Sequence, residues 1–278
     1  MPPPTKVTTS CIIAALPRSG SWLLAEALNN SALAGQPEEY FRSDITRLWS
    51  RRWRLPERAS YGRYIEAATQ FSTTSNGVFS VKLHWYQFAW FLEQMRLLEG
   101  EDDSRGDPEL VAKWLPNPRY ILLLRRDKLR QAISYYRAAQ SQVWFLTEDS
   151  TSAADGEVGV EGEPDFQTIR WLEDALVEHE ACWQHFFERH EIRPLEIVYE
   201  DFVSNYEETV LAVLDWLGIS TPADFEVEPP GLIKQAGEQT ERLLAQYLER
   251  RDSLSSMPAN VVWSREMRRY IAPEQPAS

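Results

Sequence analysis

Two hydrophobic periods alternate along the chain. Uninterrupted apolar runs such as Cys11-Ile12-Ile13-Ala14-Ala15-Leu16 and Ile121-Leu122-Leu123-Leu124 have the character of parallel strands covered on both faces. Between them, apolar residues recur three and four apart, as Leu23, Leu24, Ala27 and Leu28 do, which is the spacing of a helix with one buried face. Read in this way, the chain carries strands at about 9–15, 78–83, 119–124 and 195–199. The intervening patterns predict helices at about 21–30, 45–53, 61–71, 87–98, 129–142, 165–190, 205–217 and 239–250. Strands separated by helices imply an α/β fold, a parallel sheet flanked by helices with right-handed crossovers. No internal repeat and no second domain is visible, so a single domain over 1–278 with a mainly helical C-terminal part is expected. From Glu148 to Asp165 there are seven acids and no bases among Ser, Thr, Gly and Ala, which predicts a solvated loop or lid at about 146–165.

The first strand ends in Pro17-Arg18-Ser19-Gly20-Ser21, and the first helix follows at once. A strand, tight loop and helix N-terminus aim backbone N–H groups and the positive end of the helix dipole at one point, a receptor for a phosphate or sulfate oxyanion. The loop lacks the G-x-x-x-x-G-K-[ST] pattern, having Ser21 where a Lys would follow the glycine. Taken alone it reads equally as an ordinary strand-to-helix turn. A second basic element adds to it: Arg126 at the end of the third strand and Ser134 eight residues later on the next helix, a spacing that lets a guanidinium and a hydroxyl reach one phosphate.

Charge and composition narrow the field. A formal net charge of −13 argues against nucleic-acid binding and requires any anionic nucleotide to be held by a local basic pocket. Two cysteines exclude a disulfide framework. The N-terminus lacks the charged start and apolar core of a signal peptide, and no apolar run reaches membrane-spanning length, so a soluble cytoplasmic protein is expected. His179, Cys182 and His185 on one helix diverge too widely to share a metal ion, and none is expected.

Four motifs in register then resemble the sulfotransferases that use 3′-phosphoadenosine 5′-phosphosulfate (PAPS), and among these the bacterial trehalose sulfotransferase family. Arg18-Ser19-Gly20-Ser21 with Leu23-Leu24 is similar to the family's R-S-G-S-T-L-L loop, and Ala34-Gly35-Gln36-Pro37-Glu38-Glu39-Tyr40-Phe41 to its A-G-E-P-x-E-F-F segment. Gly77-Val78 through Lys82-Leu83-His84-Trp85 resembles G-V-x-x-K-L-M-W, and Ala132 to Gln140 with Val143-Trp144 resembles A-V-S-F-W-R-A-V-Q and V-W. These motifs cover about residues 10–145, beyond which Lys234-Gln235-Ala236 is similar to a C-terminal R-Q-A segment that contacts the nucleotide.

The resemblance implies the P-loop-like sulfotransferase fold, PAPS as donor with 3′-phosphoadenosine 5′-phosphate (PAP) as product, and a homodimer. It implies that Arg18, Ser19, Gly20, Ser21 and Trp22 line the phosphosulfate loop and that Arg126, Ser134 and Gln235 hold the rest of the nucleotide. Glu39 matches the family's carboxylate base, and its apolar neighbours Tyr40 and Phe41 suggest a raised pKa. Lys82, at a strand end, is expected at the sulfuryl group or leaving oxygen, with Arg18 beside it. His84 is the competing base, standing where the family has Met. Arg137, Trp85 and Trp144 are expected around a small hydroxyl acceptor, a carbohydrate, glycolipid or other small molecule. Trp22 replaces the family's Thr and removes a hydroxyl from the loop. An ATP-dependent small-molecule kinase and a catalytically silent nucleotide binder are the alternatives, the first disfavoured by the missing P-loop lysine.

Overall fold

A computed structural model describes residues 5–100, 104–144, 163–231 and 237–256. Its centre is a parallel sheet of four strands, β1 Thr9–Ala15, β2 Val78–His84, β3 Pro118–Leu124 and β4 Leu195–Val198, in the order β2-β1-β3-β4. Ile12 lies opposite Val81 on one side and Tyr120 on the other, and Leu124 lies opposite Val198. The expected α/β class with a helix-flanked parallel sheet is therefore what the chain forms.

β1 shows why its run is apolar without alternation. Cys11, Ile13 and Ala15 pack on one face with Leu24, Leu28, Val213 and Leu214, whereas Ile12 and Ala14 pack on the other with Phe88, Phe91, Trp183 and Phe186. The first face is covered by α1 Ser21–Ser31 and later by α9 Tyr206–Trp216; the second by α4 Trp85–Glu99, α6 Lys128–Ser141 and the long α7 Phe166–Arg189. Two shorter helices, α2 Thr46–Arg52 and α3 Tyr61–Ser72, lie between β1 and β2 in sequence, and α10 Glu238–Arg250 packs against α6. Trp183 is fully buried, stacks on Phe187 at 5.7 Å, and donates its indole N–H to the Ala15 carbonyl at 3.3 Å, tying α7 to the end of β1.

Helix and strand bounds fall within about two residues of the sequence reading, with two helices unread. α5 Asp107–Trp114 follows the acidic sequence Glu99-Gly100-Glu101-Asp102-Asp103, which masks its pattern: Pro108 starts the helix and Asp107 and Glu109 favour its positive end, while only Leu110 and Val111 are buried. α8 Tyr199–Ser204 turns directly out of β4, so Tyr199 opens a helix instead of closing a strand. The acidic stretch at about 146–165 lies, but for its last residues, outside the described residues, as does Gln235.

From β1 the chain goes to β2 on one side and later to β3 on the other, which makes the carboxyl edge beside β1 a topological switch point and the natural ligand crevice. Truncating Trp183 to Ala removes the largest side chain on that face and one tie to β1; urea denaturation is expected to register a loss of roughly 3–5 kcal/mol.

Candidate active site

Each strand delivers one candidate element to the carboxyl edge. β1 runs into Leu16-Pro17-Arg18-Ser19-Gly20, where Arg18 and Gly20 adopt φ of 63° and 86°. Gly20 is required: a Cβ there would sit 2.5 Å from the Tyr199 ring. Ser19 is buried and donates its hydroxyl to the Leu16 carbonyl at 2.8 Å, so it braces the turn, and Ser21 is buried as the first residue of α1. Gly20 is the N-cap of α1 and makes no side-chain cap, and the positive end of the helix opens at this edge of the sheet.

The β3–α6 turn is built differently. The Glu200 carboxylate accepts from the N–H groups of Arg126 and Asp127 at 3.1 and 3.3 Å, and Asp127 caps α6 by accepting from Arg130 N–H at 2.8 Å. Acidic side chains of the protein thus already occupy this turn, whereas the α1 turn is open. Arg126 is exposed and pairs with Asp201 through both guanidinium nitrogens. Ser134 instead accepts from Arg18 Nε at 3.0 Å. The eight-residue spacing therefore does not join Arg126 to Ser134 here: Ser134 serves the β1 loop, and Arg126 is held at the rim by an acid from α8.

Arg18 reaches across the crevice, bonding Ser134 and the Trp144 carbonyl. Burial, with Arg125 and Arg137 nearby, pushes its pKa down to about 10, so it remains a cation at neutral pH. Arg125 donates to the Arg18 carbonyl at 2.8 Å and lies over the Tyr199 ring at 4.8 Å, while Gln131 Nε2 donates to the Pro17 carbonyl at 2.7 Å. These three residues support the loop, and none was read from sequence: Arg125 adjoins the arginine that was, and Tyr199 and Gln131 meet the loop only through tertiary packing.

Glu39 is positioned by backbone pairing. Glu38 forms a parallel bridge with Val81 at the free edge of β2, its carbonyl accepting from Lys82 N–H at 3.0 Å. Upstream, Gly35 at φ 74° packs so closely that a Cβ would lie 2.5 Å from Ser80 N. This register sets Glu39 beside β2, where its Oε1 lies 3.0 Å from Lys82 Nζ and 3.8 Å from His84 Nε2. Its Oε2 accepts from Gln87 Nε2 at 2.6 Å and from Arg42 at 3.2 Å. Gln87 also accepts from His84 N–H at 2.9 Å, fixing the start of α4 and the carboxylate with one amide.

The electrostatics overturn one expectation. Burial alone would raise the Glu39 pKa, but Lys82, His84, Arg42 and the Gln87 bond together hold it far below the ordinary carboxylate range. Its sequence neighbours Tyr40 and Phe41 do turn into the core, but its spatial neighbours are the basic side chains of Lys82 and Arg42 and the His84 imidazole. Lys82 is fully buried and sits below the ordinary lysine range because burial outweighs its attraction to Glu39 and Glu38. Burial likewise takes His84 down to about 4, making it neutral. Lys82 Nζ also lies 3.4 Å from the ring centre of Trp22 on α1, which links the base cluster to the oxyanion loop.

Of the acceptor-side expectations, Trp144 packs edge-on against Tyr135 at 5.9 Å beside the Arg18 contact. Trp85 stands edge-on to Trp183 at 5.2 Å and 5.9 Å from Phe88, so its ring belongs with the core beneath the site instead of a sugar-stacking wall. Arg137 donates to Thr240 Oγ1 at 2.6 Å, joining α6 to α10. His179 is buried near Tyr86, ring centres 6.3 Å apart, and no group of three His, Cys, Asp or Glu among the described residues is arranged to hold a metal ion.

Comparison with known proteins gives the chain a family. The Stf0 sulphotransferase family matches residues 10–251. The trehalose 2-sulfotransferase of Mycobacterium tuberculosis (strain ATCC 35801 / TMC 107 / Erdman) is 28% identical over 260 residues, 85% of this chain and 93% of that protein. The trehalose 2-sulfotransferase of Mycolicibacterium smegmatis (strain ATCC 700084 / mc(2)155) is 27% identical over 267 residues, 88% of this chain and 96% of that protein. A crystal structure of a sulfotransferase from Alicyclobacillus acidocaldarius is similar at a TM-score of 0.40 and 15% identity, covering 86% of this chain and 91% of that one.

Because Glu39 is the carboxylate partner of a buried ammonium, Glu39→Gln is expected to cost about 3 kcal/mol of stability near neutral pH, measured by urea denaturation. A pKa held below the ordinary 4.5 contributes stability that is present above about that pH and lost as pH falls further, so the gap between wild type and variant is expected to narrow on acidification to about pH 3.

Proposed function

The chain belongs to the Stf0 sulphotransferase family, and on that premise we propose that it moves a sulfuryl group from PAPS to a hydroxyl of a carbohydrate acceptor by direct in-line transfer, with Glu39 as base. The observation that carries this reading is the Glu39–Lys82 pair beside the open N-terminus of α1: a cation for a sulfuryl oxygen, a carboxylate for a proton, and N–H groups for a phosphate, all on one sheet edge. The names of the two mycobacterial relatives support a sugar hydroxyl as acceptor. The residues fit such a donor, since Arg18, Lys82 and the α1 turn supply positive potential within a chain of net charge −13.

Glu39 and Lys82 act as a couple. In the resting pair the carboxylate is ionised and its basicity is muted by the ammonium. When Lys82 turns toward an anionic sulfuryl group, Glu39 loses its nearest counter-charge and becomes the stronger base as the acceptor hydroxyl bonds to sulfur. The hydroxyl proton passes to a Glu39 oxygen, the sulfur–oxygen bond to the donor breaks, and Lys82 and the loop N–H groups balance the charge left on the departing phosphate. Arg126, Ser134 and Gln235 complete the nucleotide site in this reading, Arg126 exchanging Asp201 for a phosphate. Arg137, His84 and Trp144 border the acceptor, and the enzyme works as a cytoplasmic homodimer.

PAP is expected to raise the thermal unfolding temperature without Mg²⁺, by an amount equivalent to about 2.7 kcal/mol at a hundredfold excess over its Kd. Stabilisation by ATP and not by PAP would overturn the donor assignment in favour of a kinase. Lys82→Met should shift the acid limb of kcat/KM upward in the residual turnover, because the carboxylate loses the ammonium that depresses its pKa. An unmoved limb assigns the proton transfer to another group.

A further inference from the structure

Trp22 is the residue that separates this loop from the R-S-G-S-T pattern, and the reaction as derived above gives it no role. Its position is specific. It is the second residue of α1, next to the loop turn, and its ring face meets the ammonium of Lys82 at 3.4 Å. Lys82 is fully buried on β2, with Glu39 Oε1 at 3.0 Å as its carboxylate contact. The ammonium therefore lies between a carboxylate from the acceptor side and an indole from the donor side. We propose that Trp22 is a positioning residue for Lys82, its indole face holding the ammonium as a cation at the mouth of the phosphosulfate loop without neutralising it.

The physical argument rests on what the alternatives would do. A buried ammonium needs partners, because taking it from water unpaired disfavours the charged form. A second carboxylate at this point would satisfy Lys82 but repel the donor. The ring quadrupole attracts the cation and carries no net charge. The groups facing Lys82 are Glu38 and Glu39, with Arg42 and His84 beyond Glu39. His84 is neutral, Arg42 shares Glu39 and pairs with Asp44 as well, and so the indole is the contact that favours the ammonium without subtracting from the positive potential offered to the loop. The missing hydroxyl is thus replaced in function through Lys82, and not by a bond from Trp22 to the donor.

This inference rests on the donor reading above, and its test separates the two. PAP binding to wild type, Trp22→Phe and Trp22→Leu is compared by calorimetry, Phe keeping a weaker ring face and Leu none. The expected order of affinity is wild type, Phe, Leu, with Leu weaker by about tenfold. Leu equal to Phe, or tighter than wild type because the indole obstructs the loop, overturns the proposal. A second arm needs no donor. A folded-state lysine pKa below the unfolded value gives stability that grows as pH rises toward that value, and loss of the indole lowers the folded pKa further. Trp22→Leu should therefore recover thermal stability relative to Trp22→Phe as pH rises from neutral toward the ordinary lysine value of 10.5, whereas a gap that stays constant over that whole range means packing alone and overturns the proposal. Trp22→Met replaces leucine if that variant does not fold. Failure of wild type to bind PAP removes the donor reading, and the second arm then decides the role of Trp22 by itself.

Discussion

The contact between Glu39 and Lys82 is the constraint around which the carboxyl edge of the sheet is organised. Two charges removed from water repay their desolvation only when their geometry is fixed and their remaining hydrogen-bonding capacity is filled. Glu39 meets that condition with four neighbours drawn from its own segment, β2 and α4: Lys82, His84, Arg42 and Gln87. The price of the arrangement is rigidity. The bridge of Glu38 to Val81, the close approach of Gly35 to Ser80 and the Tyr64 hydroxyl on the Tyr40 carbonyl at 2.7 Å all fix the segment that carries the carboxylate.

The sheet supplies the rest of the logic. With β1 central and the chain reversing around it, the loops after β1, β2, β3 and β4 share one edge. They are not equivalent. The turn after β3 donates its backbone N–H groups to the Glu200 and Asp127 carboxylates, whereas the turn after β1 carries no acid of its own and is braced from behind by Arg125, Gln131 and Tyr199. Of the two turns, the one after β1 is the one that the proposed donor requires.

Much of this was legible in the sequence because it is local. Apolar runs mark strands buried on both faces, and the Pro-Arg-Ser-Gly-Ser punctuation marks the turn from β1 into α1; Glu39 and the strand-end Lys82 were visible as chemistry without a partner. What sequence could not supply is distance across the fold. The apolar residues next to Glu39 suggested a raised pKa, but a side chain titrates against what faces it in space, and three basic residues do. Ser134 and Arg126 share a spacing that suits one phosphate, yet Arg18 claims the first and Asp201 the second. Trp85 looked like part of an acceptor wall because aromatic residues serve both purposes, and only the position of Trp183 decides between them. Gln87 and Arg42 were within reach of pattern reasoning, each three residues from the group it orients, a spacing at which side chains meet in helices and tight turns.

The attachment of the Glu39 segment to the sheet bears on how such a site diversifies. The carboxylate does not belong to a core strand. It hangs from the outer edge of β2 by a bridge at one residue pair, while the oxyanion loop grows from the central strand. Insertions or replacements between Arg42 and α3 can reshape what approaches Glu39 without touching a strand of the sheet or the loop after β1. On the proposed assignment of donor and acceptor, their handling is thus modular, and a lineage built on this scaffold can exchange one alcohol for another while its donor chemistry stays fixed.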